Sequence, residues 1–116
     1  MKVNRVVPNL ECASLQQAKD FYTRVLGLRV VMDHGWIVTL ADPQRPETQV
    51  SLTTHDETAP LVPAVSIHVD DVDAAYREAV ATGAEIVHDL VDEPWGVRRF
   101  FVRDPEGHVI NILAHG

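Results

Sequence analysis

Glu11 and His68 are the carboxylate and imidazole of this 116-residue chain best placed to move a proton. Each lies in a run that reads as a strand, Val3 to Glu11 and Ala64 to Val69. Period-two alternation puts both on the mixed, partly polar face of their strands. A carboxylate beside an imidazole raises the imidazole pKa towards neutral, the condition for general acid–base work. The same two groups can ligate a divalent ion in a shifted frame, but two donors do not complete a coordination sphere. A single histidine is also more often a packed or hydrogen-bonded residue than a catalyst. Glu11 and His68 are therefore the catalytic candidates, without a motif around them to fix the chemistry.

The chain has six histidines with no ligand-spaced motif among them. His34, His88 and His108 fall beside turns or on strands, where solvent exposure is the simplest expectation. His55 and His115 close equivalent strands and form an alternative pair for a metal. Trp36 is expected in the core. Trp95 sits in the short loop Pro94-Trp95-Gly96, and an indole at the mouth of a cleft can stack on a flat or cationic ligand. Arg98 and Arg99 follow, and alternation sends them to opposite faces. One can pair with an acidic group of a ligand, or either can form a surface ion pair of small worth. Cys12, the only cysteine, excludes an intramolecular disulfide and a cysteine-based zinc cluster. It reads as a small buried hydrophobe.

These side chains need elements to position them. Ser14 caps a predicted helix whose apolar positions Leu15, Ala18, Phe21, Tyr22, Val25 and Leu26 follow helical spacing, and Gly27 ends it. Strands are expected at Leu28–Asp33, Trp36–Ala41 and Gln49–Thr54, with the proline-containing loop 42–48 before the last. Beyond the Pro60–Pro63 linker the order recurs. Ala64–Val69 is a strand, Asp71 caps a helix through Val72, Ala75, Tyr76, Ala79 and Val80, and Gly83 ends it. Strands follow at Glu85–Leu90, Arg98–Arg103 and His108–Leu113, the last two joined by the turn Asp104-Pro105-Glu106-Gly107. Val50-Ser51-Leu52 precedes Ile110-Asn111-Ile112 by 60 residues, and His55 precedes His115 by the same interval. The chain thus reads as one α+β domain over residues 1–116, made of two βαβββ modules at about 1–58 and 62–116.

Alternation divides each strand. Val6 and Leu10, Val50 and Leu52, Val65, Ile67 and Val69, and Ile110 and Ile112 form a uniformly aliphatic set, expected to face the helices. The opposite set lines a predicted ligand surface. It holds Asn9, Glu11, Gln49, Ser51, Thr53, Ser66, His68 and Asn111, with Val7, Ala64, Val109 and Leu113 as apolar wall. A half-solvated antiparallel sheet with no ligand shows the same alternation.

Composition narrows the partners. Ten Lys and Arg against 17 Asp and Glu give a net charge of −7, which disfavours nucleic acid and suits a neutral or cationic small ligand as well as plain solubility. No apolar run is long enough to cross a bilayer, and the opening Met1-Lys2-Val3-Asn4-Arg5 lacks the apolar stretch of a secretory signal. A cytoplasmic protein with no membrane partner is expected.

Three stretches carry a family resemblance. They are Ala18-Lys19-Asp20-Phe21-Tyr22 with Val25-Leu26-Gly27-Leu28, Val69-Asp70-Asp71-Val72-Asp73-Ala74-Ala75, and the segment from Phe101 to Ile112 through Asp104-Pro105-Glu106-Gly107-His108. Through them the chain resembles the vicinal oxygen chelate superfamily of glyoxalases, bleomycin-resistance proteins and extradiol dioxygenases. The resemblance implies eight strands curled into a partly open barrel around a central cleft, and a homodimer. It also implies four metal-ligand positions, which fall here on Val7, Ser51, Ala64 and Asn111. Valine and alanine have no donor atom, and neutral serine and asparagine are poor anchors for a catalytic divalent ion.

The expectation is a protein without a metal cofactor, closest to the metal-free bleomycin-resistance branch, that sequesters a drug-like, cationic or aromatic ligand in a cleft at a dimer interface. The binding set is Asn9, Glu11, Gln49, Ser51, Ser66, His68, Trp95, Arg98 and Asn111. The alternative is a glyoxalase-like lyase or isomerase, or an extradiol dioxygenase, holding its metal on atypical ligands.

Overall fold

The computed structural model describes residues 1–115. Its elements are β1 (Val3–Glu11), α1 (Leu15–Leu26), β2 (Arg29–Asp33), β3 (Ile37–Ala41), β4 (Gln49–Thr53), β5 (Val65–Val69), α2 (Val72–Ala81), β6 (Glu85–Asp92), β7 (Val97–Arg103) and β8 (Val109–His115). Strands pair in the order β2-β3-β4-β1-β5-β8-β7-β6, an open eight-stranded arrangement in the α+β class. The chain divides into two compact units. One is Val7–Val62; the other begins at Pro63 and also takes in Met1–Val6. The division falls between Val62 and Pro63, and the first six residues group with the later unit.

Both units are wound alike. In the first, β4 pairs with β1 in parallel, with Asn9 opposite Ser51, and with β3 antiparallel, with Thr39 opposite Ser51. In the second, β8 pairs with β5 in parallel, with Ser66 opposite Asn111, and with β7 antiparallel, with Phe101 opposite Asn111. A parallel pair requires a crossover, and each unit's helix lies between its parallel strands in the chain.

The helices start and stop where local chemistry dictates. Ser14 Oγ accepts from the Gln17 amide at 3.2 Å, satisfying an N-terminal donor of α1. Gly27 ends α1 at φ 69°, and its amide donates to Thr23 O at 3.1 Å. Asp71 caps α2 through Ala74 N at 3.0 Å. Thr82, rather than Gly83, is the C-cap of α2, and Gly83 follows it at φ 77°.

Each unit buries its own apolar layer beneath its helix. In the first, Val38, Leu40 and Leu52 pack with Leu15, Ala18, Tyr22, Cys12 and Val50. In the second, Val69, Val72 and Phe100 pack with Ala75, Tyr76, Ile67, Ile112 and Val102. The aliphatic set therefore faces the helices on the inner strands. Two β1 residues depart from that expectation. Val6 is 54% exposed and Leu10 38%, and neither joins a core cluster. Phe21, Val25 and Leu26 also stay exposed, because only the Leu15, Ala18 and Tyr22 edge of α1 meets the sheet.

Candidate functional site

In the first unit the mixed face is built on β1, β4 and β3. Ser51 is buried, and its hydroxyl shares a 2.8 Å hydrogen bond with Thr39. Thr39 was not among the expected lining residues, although it stands between Val38 and Leu40 and so has the right parity. Asn9 is half-buried opposite Ser51. Gln49 turns away to donate to Pro46 O at 2.9 Å, which braces the loop before β4. Glu11 is exposed at the end of β1. Thr53 Oγ1 donates to backbone carbonyls of Trp36 and His55, and Trp36 is half-buried with its ring 6.2 Å from that of His55.

In the second unit the mixed face carries two polar clusters, both reaching beyond the residues expected. The first starts at Asn111, 4% exposed, whose Nδ2 donates to Ser66 Oγ at 2.9 Å. The other end of this amide, Oδ1, is buried and has no hydrogen-bond partner among the described residues. Farther along the strands, His68 stacks on His115 with ring centroids 5.3 Å apart. Arg5 Nη2 lies 3.2 Å from His68 Nδ1 and 3.4 Å from His115 Nε2.

A guanidinium can only donate, so both of those ring nitrogens must be lone-pair acceptors. His68 then accepts as the neutral imidazole with its proton on Nε2. Burial, then the nearby charge of Arg5 and then that of His115, lower the His68 pKa to about 4. The charged partner of His68 within its unit is a guanidinium, not a carboxylate, so the imidazole is pushed away from neutral pH instead of towards it.

The second cluster surrounds Arg99, 1% exposed. Its Nε donates to Glu93 Oε2 at 2.6 Å, and His88 Nε2 lies 3.2 Å from the same oxygen. Its Cζ lies over two rings, 4.9 Å from the centre of Trp95 and 4.8 Å from that of Phe101. The face of Trp95 expected to meet a cationic ligand thus meets this chain's own cation. His88, expected in solvent, is half-buried with its ring 5.1 Å from Phe101. Register shifts in β6 between Ile86 and His88 and between His88 and Val91 break strict alternation, which set His88 opposite Phe101. Arg98 points the other way, as alternation predicts. It holds Asp73 at 2.8 Å and Asp92 at 3.1 Å on the helix side, so it does not line the mixed face.

The four positions of the implied metal do not suit one. In the first unit Val7 is aliphatic and the hydroxyl of Ser51 is engaged with Thr39. In the second unit Ala64 has no donor, and Asn111 offers one neutral amide. No group of three or more His, Cys, Asp or Glu side chains able to hold a metal occurs among the described residues. A borderline ion requires imidazole, thiolate or carboxylate, and these positions supply none.

Comparison with known proteins agrees with this architecture. The chain superposes on a glyoxalase/bleomycin resistance protein/dioxygenase superfamily member from Vibrio splendidus 12B01 with a TM-score of 0.67, at 22% identity over 97% of this chain and 99% of that one. Methylmalonyl-CoA epimerase from Mycobacterium tuberculosis has the same fold, with a TM-score of 0.68, at 19% identity over 98% of this chain and 87% of that one. A curated uncharacterized protein of Mycobacterium tuberculosis is 48% identical over 46 residues, 38% of this chain. That match spans only 27% of the mycobacterial protein's length. The family model for the glyoxalase/bleomycin resistance protein/dioxygenase superfamily matches residues 2–112. The chain belongs to that superfamily.

Proposed function

We propose that this protein is a metal-independent member of its superfamily that binds a small organic molecule on the mixed faces of its strands. The observation that carries the reading is the donor set at the four metal positions, Val7, Ser51, Ala64 and Asn111. Two have no donor and two have neutral ones, the Ser51 hydroxyl already engaged with Thr39 and Asn111 offering a single amide oxygen. The superfamily fold hosts metal-dependent and metal-free chemistry alike, so the site residues have to decide between them. Sequestration needs only shape and hydrogen bonding, which Asn9, Ser51 and Thr39 in one unit and Ser66 and Asn111 in the other provide. The buried acceptor of Asn111 is a ready partner for a ligand donor, because an unpaired buried polar atom costs about 1–3 kcal/mol.

A homodimer working in the cytoplasm completes the proposal. The supporting facts are that no helix among the described residues is long and apolar enough to cross a membrane, and that Phe21, Val25 and Leu26 leave an apolar strip of α1 exposed.

Metal content tests the reading directly. Tag-free protein purified without chelator and dialysed against Ni, Zn, Mn and Fe(II) is expected to retain far less than one ion per chain by mass spectrometry. One tightly held ion per chain would overturn it. A thermal-shift screen of small molecules on the metal-free protein then identifies the ligand.

A further inference from the structure

The second unit contains an arginine that no carboxylate among the described residues answers. The three arginines of β7 all meet carboxylates: Arg98 meets Asp73 and Asp92, Arg99 meets Glu93, and Arg103 meets Glu85. Arg5 meets two imidazoles instead, and among the described residues no carboxylate bonds to it. Its Nε is buried with no hydrogen-bond partner among those residues. A half-buried guanidinium without a counter-charge is costly in a chain whose acids outnumber its bases by seven.

We propose that Arg5, His68 and His115 form a binding site for an oxyanion, the carboxylate or phosphate group of a small ligand. Arg5 supplies the fixed charge and a planar fork of donors suited to two oxygens. The imidazoles complete the site by giving up their role as acceptors. Once an anion takes the guanidinium, tautomer exchange can place the ring N–H on His68 Nδ1 and His115 Nε2, the nitrogens that face Arg5, so that both rings donate to the anion. Half-buried His68 and exposed His115 leave a path from solvent. His68, Ser66 and Asn111 share the mixed face, so the oxyanion would anchor one end of a ligand whose donor reaches the free oxygen of Asn111. This names the ligand class for the face discussed above and rests on the reading that the face binds small molecules.

The test is a titration of the full chain with inorganic phosphate and, separately, with acetate. Chloride at matched ionic strength is the control, and imidazole 15N and 1H resonances are the readout. Saturable shifts at both His68 and His115 with either anion are expected, absent in chloride. A response to phosphate alone identifies a phosphate site, and a response to both identifies a carboxylate-competent one. Arg5→Met is expected to weaken binding about tenfold or more, and Arg5→Lys less, since one point charge replaces a fork. Should Arg5→Met fail to fold, His115→Gln on the exposed side provides the same comparison. No saturable shift in folded wild-type protein with either anion overturns the site. Metal content is measured on the same sample. A retained ion with anion shifts intact removes only the metal-independent reading, whereas a metal-free protein with no anion response removes only this site.

Discussion

Arg99 holds its guanidinium carbon 4.9 Å from the centre of the Trp95 indole, so the cation that meets this loop tryptophan is intramolecular. Glu93 neutralises the same guanidinium at 2.6 Å. A buried ion pair of this kind contributes little net stability while intact, because desolvation offsets the attraction, but breaking it strands a charge.

Glu93→Ala is therefore expected to destabilise the protein by about 3–5 kcal/mol, and Glu93→Gln by less, because the amide still accepts from Arg99. Urea unfolding followed by circular dichroism measures both. Equal losses in the two variants would mean that the carboxylate's charge accounts for the whole effect and the retained acceptor oxygen for none of it.

Trp95→Ala is expected to act on stability before ligand affinity, costing about 1–3 kcal/mol through lost contact with Arg99. The comparison is between thermal midpoint and affinity for a ligand found by screening. A tenfold loss of affinity with no loss of midpoint would restore Trp95 to the binding surface.

His68 links stability to pH with a definite sign. Its folded pKa, about 4, lies below its ordinary value of 6.5, so at intermediate pH the unfolded chain binds more protons than the folded one. Stability is then fully present above about pH 6.5 and falls as pH drops towards 4, by about 1–3 kcal/mol for a half-buried group. Denaturation midpoints from pH 7 to pH 4 should show this slope, and it should flatten in His68→Asn. Oxyanion binding opposes the same linkage, since the anion favours the protonated imidazole, and phosphate should therefore shift the His68 titration upward.

Asn111→Leu separates binding from folding. The side chain keeps its approximate volume, loses the hydrogen bond to Ser66 and removes the unpaired oxygen, so a stability change of only about 1 kcal/mol is expected. Affinity for a screened ligand should fall about tenfold if that oxygen is its acceptor.

Gly27→Ala checks the local reading of α1. The new methyl group meets nothing within 4 Å, so the whole cost is conformational, about 1 kcal/mol for a left-handed residue at φ 69°. A much larger loss in thermal unfolding would point to tertiary contacts at this turn.

Most of the elements could be read from the sequence because they are decided locally. Ser14 and Asp71 cap helices with their own side chains, Gly27 supplies a positive φ, and the repeated βαβββ order follows from periodicity. The missing donors at Val7 and Ala64 are equally plain, because a residue's type sets its ligand chemistry wherever it lies. Val6 and Leu10 show where alternation stops being sufficient. It assigns a side chain to a face but does not say whether anything covers that face.

Partnership was decided only by the tertiary structure. Arg5 reaches His68 across 63 positions of sequence and His115 across 110, and only strand register sets such neighbours. The irregular register of β6 likewise brings His88 to Glu93 and Phe101, where a strict period of two does not lead. Charge and pKa follow from those neighbours. The sequence named His68 as the imidazole to watch, and only the fold supplied the guanidinium that lowers its pKa.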